Sequence, residues 1–231
     1  MMRAAGFALA LFPVPAFADF TENNLLAIFY HELGHAVIDQ MQVSIFGQEE
    51  DAADALSILL IDALYDNERA EAMAYDSAAL FLAESQSTPA FWDTHGPDAQ
   101  RFYNTVCLFY GANPDAREAF AQEFDLPVER AETCEDEYAL AVDSWNAVLD
   151  EMSEDAGFSG ALILRAQGAM PVLAREITAL NAEFKWPRNI VVKVMPCDEA
   201  NAFYDLETQS TTMCSELTGW LSGIAEAEGW N

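Results

Sequence analysis

The chain has 231 residues, 52% of them hydrophobic, which is ample for the core of one domain of ordinary size. It carries 39 Asp and Glu against 10 Lys and Arg, a formal charge of −29. That balance excludes the basic footprint needed for nucleic acids or anionic membrane surfaces, and no run reaches the roughly 18 apolar residues of a membrane span.

The N-terminus combines Arg3, the apolar stretch from Ala4 to Phe12, and Ala16-Phe17-Ala18. This reads as a signal peptide over residues 1–18, with Asp19 the first mature residue. Pro13 and Pro15 disfavour a helix continuing through it. The mature protein is therefore expected in the periplasm or outside the cell, as a single domain over 19–231. The helical part spans about 19–152 and a mixed α/β part about 153–231. The expected class is α+β, predominantly helical, with a small C-terminal β-hairpin or sheet.

The first helix is expected to run to about Met41, capped by Thr21 or Asn23. Its apolar run, Leu25 to Ile38, holds His31-Glu32-Leu33-Gly34-His35, with two of the three histidines in the chain. Residues four apart share a helix face, so His31 and His35 can turn two imidazoles on one ion. This is the H-E-x-x-H pattern of zinc hydrolases, in which Glu32 is the general base. A catalytic zinc takes three protein ligands and leaves the fourth position to water.

A turn-like stretch ending at Gly47 leads into a second helix, about Glu49 to Tyr65. A short connection packs two helices antiparallel, bringing the first turn of the second back to the histidines. Glu50 is the expected third ligand. Asp54, one turn on along the same face, can accept a hydrogen bond from a liganding imidazole. Glu49 and Asp51 read instead as acids favoured by the helix N-terminus.

A third helix, about Glu68 to Glu84, precedes a turn-rich linker from Thr88 to Pro97 that carries His95. His95 reads either as a solvent-side histidine ordering the loop, the plainer reading, or as a donor to a reacting carbonyl. The next helix, Asp98 to Tyr110, carries Arg101, whose default reading is an ion pair with a helix carboxylate. Shorter and longer helices follow, Asp115 to Phe124 and about Val128 to Met152.

Beyond Gly157 the pattern changes. Ala161 to Arg165 and the β-branched Asn189 to Met195 read as strands around a helix from Pro171 to Phe184. Thr211 to Cys214 is expected to pair back on Phe203-Tyr204, before a last helix from about Ser215. The four cysteines admit three pairings, of which Cys107–Cys134 and Cys197–Cys214 are the simplest in an oxidising compartment.

The chain resembles the bacterial metallopeptidase family DUF4344 over nearly all of its mature length. The likeness lies in Phe29 to Ala36, Gly47 to Asp54, Gln100 to Asn104 with Cys107, Cys134 to Tyr138 with Trp145, and Asn201 to Asp205 leading to Cys214. It implies a gluzincin-type zinc hydrolase carried by His31, Glu32, His35 and Glu50. Leu206 stands where proline is expected, and Ser215 where tyrosine is expected.

The expected activity is hydrolysis of a peptide or protein substrate with one Zn²⁺ ion. For the tetrahedral oxyanion, Tyr204 is the first candidate donor, with His95 and Tyr103 behind it. The rival expectation is a catalytically silent zinc-binding sensor or protein-interaction module. Glu32 argues against it, because a structural zinc site needs no base.

Overall fold

The structure is a computed structural model in which residues 19–153, 157–166 and 170–230 are described. The signal peptide expected at 1–18 lies outside them.

Helix α1 (Phe20–Met41) is buried on nearly every side. That explains its uniformly apolar sequence, since a helix covered all round has no wet face to mark. It packs against α2, α3, α7, α8 and two strands, as the central post of the fold. Its cap is Asp19, whose Oδ1 accepts from the Glu22 N–H at 2.8 Å. Thr21 and Asn23 were expected to serve, but both already lie within the first turn. An acid at Asp19 also complements the positive helix end.

Helix α2 (Glu49–Leu64) runs back along α1. The contacts descend in opposite order on the two helices: His35 meets Glu50, His31 meets Asp54, and the Ser57 hydroxyl donates to the Ala27 carbonyl. Gly34 permits the close approach, because a Cβ there would sit 2.9 Å from the Ala53 Cα.

Helices α3 (Asn67–Glu84), α4 (Asp98–Ala112), α5 (Pro114–Glu123) and α6 (Val128–Ser153) complete the helical part. The Cys107–Cys134 disulfide joins α4 to α6. At Gly111 a Cβ would fall 2.1 Å from the Cys134 carbonyl oxygen, so the two backbones meet where the bridge lies. Buried Arg117 pairs with Asp62 and stacks on Phe109, and Tyr138 donates to the same Asp62 at 2.6 Å.

The C-terminal part holds β1 (Leu162–Ala166), α7 (Pro171–Glu183), β2 (Ile190–Met195), β3 (Ala202–Asp205), β4 (Ser210–Cys214) and α8 (Glu216–Glu228). The sheet order is β1-β2-β4-β3. Only β3 and β4 form the expected antiparallel hairpin; β1, β2 and β4 run parallel. Strand β4 is therefore central, and all five of its residues are buried. A second disulfide, Cys197–Cys214, fixes its end to the chain leaving β2. Among the described residues no helix is long and apolar enough to cross a membrane.

The two parts are tied together. The hydroxyls of Tyr30 on α1 and Tyr65 beyond α2 both donate to Glu176 on α7, at 2.5 and 2.7 Å. Tyr204 on β3 donates to Asp39 on α1 at 2.9 Å.

Candidate metal centre

Three imidazoles converge on one oxygen. Glu50 Oε2 lies 3.1 Å from His31 Nε2, 3.2 Å from His35 Nε2 and 2.9 Å from His95 Nε2. The helix repeat stacks His31 over His35, with their Nε2 atoms 3.3 Å apart. The antiparallel return of α2 supplies Glu50, and the α3–α4 linker supplies His95.

Each ring is held from behind. His31 Nδ1 lies 2.7 Å from Asp54 Oδ1, and His35 Nδ1 lies 2.8 Å from Glu49 Oε1. A carboxylate can only accept, so each Nδ1 carries a proton, and in the neutral ring the lone pair turned inward is that of Nε2. Lone pairs and a carboxylate oxygen then face one another at about hydrogen-bonding distance. Such a set is favourable around positive charge, so its nitrogen and oxygen donors could hold a divalent cation. The same pull acts on protons. Burial opposes the His31 imidazolium, yet Asp54 and Glu50 outweigh it and raise the pKa to about 9. Burial would lift Glu50, but its three imidazole partners hold it far below the carboxylate range.

Asp54 is itself anchored. Arg101 reaches it through Nε and Nη2, both at 2.8 Å, and its guanidinium lies over the Phe81 ring. Burial disfavours a charged Asp54, but Arg101 and His31 keep it ionised. The ion pair expected of Arg101 thus falls on the carboxylate that orients His31.

Glu32 is only 6% exposed and faces the same cavity. It stands outside the network that ties the histidines to their carboxylates. Burial raises its pKa, partly countered by His31 and His35. The cavity holds about 700 Å³. Its lining combines these polar groups with apolar residues that include Phe81, Leu217 and Trp220.

Tyr204 lines this cavity, but its hydroxyl is engaged by Asp39. Tyr103 does not line it; its ring packs edge-on against Phe102. His95 was read first as a loop-ordering residue, and here it reaches Glu50. Glu49 was read only as a helix-end acid, yet it orients His35. That contact leaves no helical-periodicity signal, because Glu49 is adjacent to Glu50 and acts from the mouth of the helix. Asp93, two residues before His95, lies 3.4 Å from its Nδ1 and accepts its backbone N–H; the Asp-x-His spacing is the sequence signal of that contact.

Helix α1 thus brings His31, Glu32 and His35, and α2 brings Glu50, to one cavity. The family described as "Putative metallopeptidase" (DUF4344) matches residues 15–149, more than half of the chain, and the chain belongs to that family. The likeness expected over nearly the whole mature chain is thus shown for the helical part. Comparison with curated proteins and with solved structures found no match.

Proposed function

We propose that the protein is an exported zinc-dependent peptidase, in which residues 1–18 are removed as a signal peptide and 19–231 act as one domain. The single observation that carries the reading is the convergence of His31, His35 and Glu50 beside the buried Glu32. Two disulfides fit an oxidising compartment.

His31, His35 and Glu50 would hold the zinc, and Asp54 and Glu49 would keep the Nδ1 protons in place. When bound, zinc supplies Lewis acidity, polarising the scissile carbonyl and making water a better nucleophile. Glu32 accepts the water proton and returns it to the leaving amine. Its raised pKa brings it nearer to neutrality, where a group can both take and give a proton. Of the oxyanion donors expected, Tyr204 lines the cavity and could donate once its hydroxyl leaves Asp39. The apolar wall would seat a substrate side chain and exclude water.

A silent zinc-binding module is favoured by one observation, the approach of His95, since structural zinc takes four protein ligands. Glu32 weighs against it. Metal analysis of the purified protein is expected to find zinc, and a casein or peptide-library assay to show cleavage. Glu32→Gln should keep the metal and lose on the order of a hundredfold or more in turnover. Equal cleavage by both proteins would remove Glu32 from the mechanism, and a protein without metal would end the hydrolase reading.

A further inference from the structure

We infer that His95 is a fourth protein ligand of the zinc, delivered by the loop of residues 85–97, so that the resting site is closed by protein donors and opens when this loop withdraws. The inference rests on the zinc reading above and concerns how that site is regulated.

Three observations carry it. First, His95 Nε2 approaches Glu50 Oε2 at 2.9 Å, as close as either helix histidine. The donor atoms of His31, Glu50 and His95 all lie within 4.8 Å of one another, the spacing of ligands around one ion. Second, His95 also has a carboxylate near its Nδ1, at a longer distance than the other two. Its Nδ1 faces Asp93 Oδ1 at 3.4 Å, and the same oxygen accepts the His95 backbone N–H at 3.1 Å. All three rings thus have a carboxylate behind Nδ1 and Nε2 directed at Glu50. A carboxylate behind the second ring nitrogen is the usual support of a liganding imidazole.

Third, His95 comes from a different side and a different kind of element. His31 and His35 side chains are 10% and 13% exposed, whereas His95 is 44% exposed. It closes the solvent face of the site, where water must enter. The helix ligands cannot move without unpacking α1. The loop consists of turns and bends between the end of α3 and the start of α4, with Pro89 and Pro97 near its ends. A catalytic zinc needs one open position and a structural one has none. A fourth ligand on a loop lets one site be both in turn.

The test reads the metal, not turnover. Metal-free wild type, His95→Ala, Asp93→Asn and Phe91→Ala are titrated with Zn²⁺ against a chelator, and with Co²⁺ while following visible absorption. His95→Ala should bind zinc on the order of a hundredfold more weakly, and Asp93→Asn about tenfold, the range for lost liganding and orienting groups. The Co²⁺ bands of His95→Ala should weaken as water replaces an imidazole. Phe91→Ala, whose ring is 80% exposed on the same loop, should match wild type and control for loop damage. Zinc should protect the loop of wild type from limited proteolysis but not that of His95→Ala. If His95→Ala binds zinc as tightly as wild type, with the same Co²⁺ spectrum, His95 is no ligand and only this inference falls. If wild type binds no zinc, the peptidase reading falls with it.

Discussion

Gly34 and Ala53 meet so closely that a Cβ on Gly34 would lie 2.9 Å from the Ala53 Cα and 3.0 Å from its Cβ. The glycine between His31 and His35 is therefore part of how Glu50 reaches them. Substitution Gly34→Ala must push α2 outward. Overpacking of this kind costs about 1–3 kcal/mol, partly offset by the better helix propensity of alanine. We expect a lower midpoint in urea unfolding and weaker zinc binding in chelator competition. A variant with unchanged zinc affinity would show that the helix spacing does not set the donor geometry.

Asp54 joins His31 to Arg101, and the consequences of cutting either link differ. Asp54→Asn keeps the shape but loses the charge that holds His31 Nδ1, and should weaken metal binding by about 10–100-fold. Arg101→Met leaves the Asp54 carboxylate buried without its cation. Removing one partner of a buried pair costs about 3–5 kcal/mol, so this variant should unfold at markedly lower denaturant. Asp54→Asn also strips Arg101 of its anion, so both variants should lose stability; zinc affinity should fall further for Asp54→Asn, and equal affinities would contradict the division of roles.

Glu84 lines the cavity on α3, facing Asp98, Arg101 and His95. Burial, and then Asp98, raise its pKa to about 7, with Arg101 and His95 opposing. The unfolded chain releases this proton near its ordinary value, whereas the folded chain holds it until about pH 7. Over that interval the native state binds more protons, so stability falls as pH rises. In metal-free protein, Glu84→Gln should be more stable than wild type at pH 8 by about 1 kcal/mol, discounted for partial exposure, and should lose that advantage at pH 4. Parallel urea curves at the two pH values decide it.

The Cys107–Cys134 bridge closes a loop across 27 positions between α4 and α6. Loss of such a loop constraint costs about 3 kcal/mol on the chain-entropy model. The double variant Cys107→Ala/Cys134→Ala should show that loss in chemical unfolding while still binding zinc. Reducing agent should destabilise wild type and leave this variant affected only through Cys197–Cys214.

The half of the site that could be read from the residues is the half governed by local geometry. His31 and His35 are linked by the helix repeat. Glu50 and Asp54 follow because a short connection returns α2 along α1, so their positions are nearly local as well. What lay hidden depends on contacts that no period encodes. Glu49 orients His35 from the end of its helix, and His95 arrives on a loop whose path is set by the packing of α3 and α4. The C-terminal topology was hidden for a related reason. Strand β4 pairs in parallel with β2, and parallel partners are joined by chain that leaves no turn signal. Only the β3–β4 hairpin has such a signal.

The family match ends at residue 149, yet the cleft does not. Phe203 and Leu206 by the β3–β4 hairpin, and Leu217 and Trp220 on α8, complete its far wall. Tyr204 binds that wall to α1 one helical turn beyond His35, through Asp39. The residues around Glu50 and the apolar residues that share their cavity are thus carried by separate stretches of polypeptide. On the peptidase reading, changes accumulating in the second stretch would alter what the cleft admits while leaving His31, His35 and Glu50 in place.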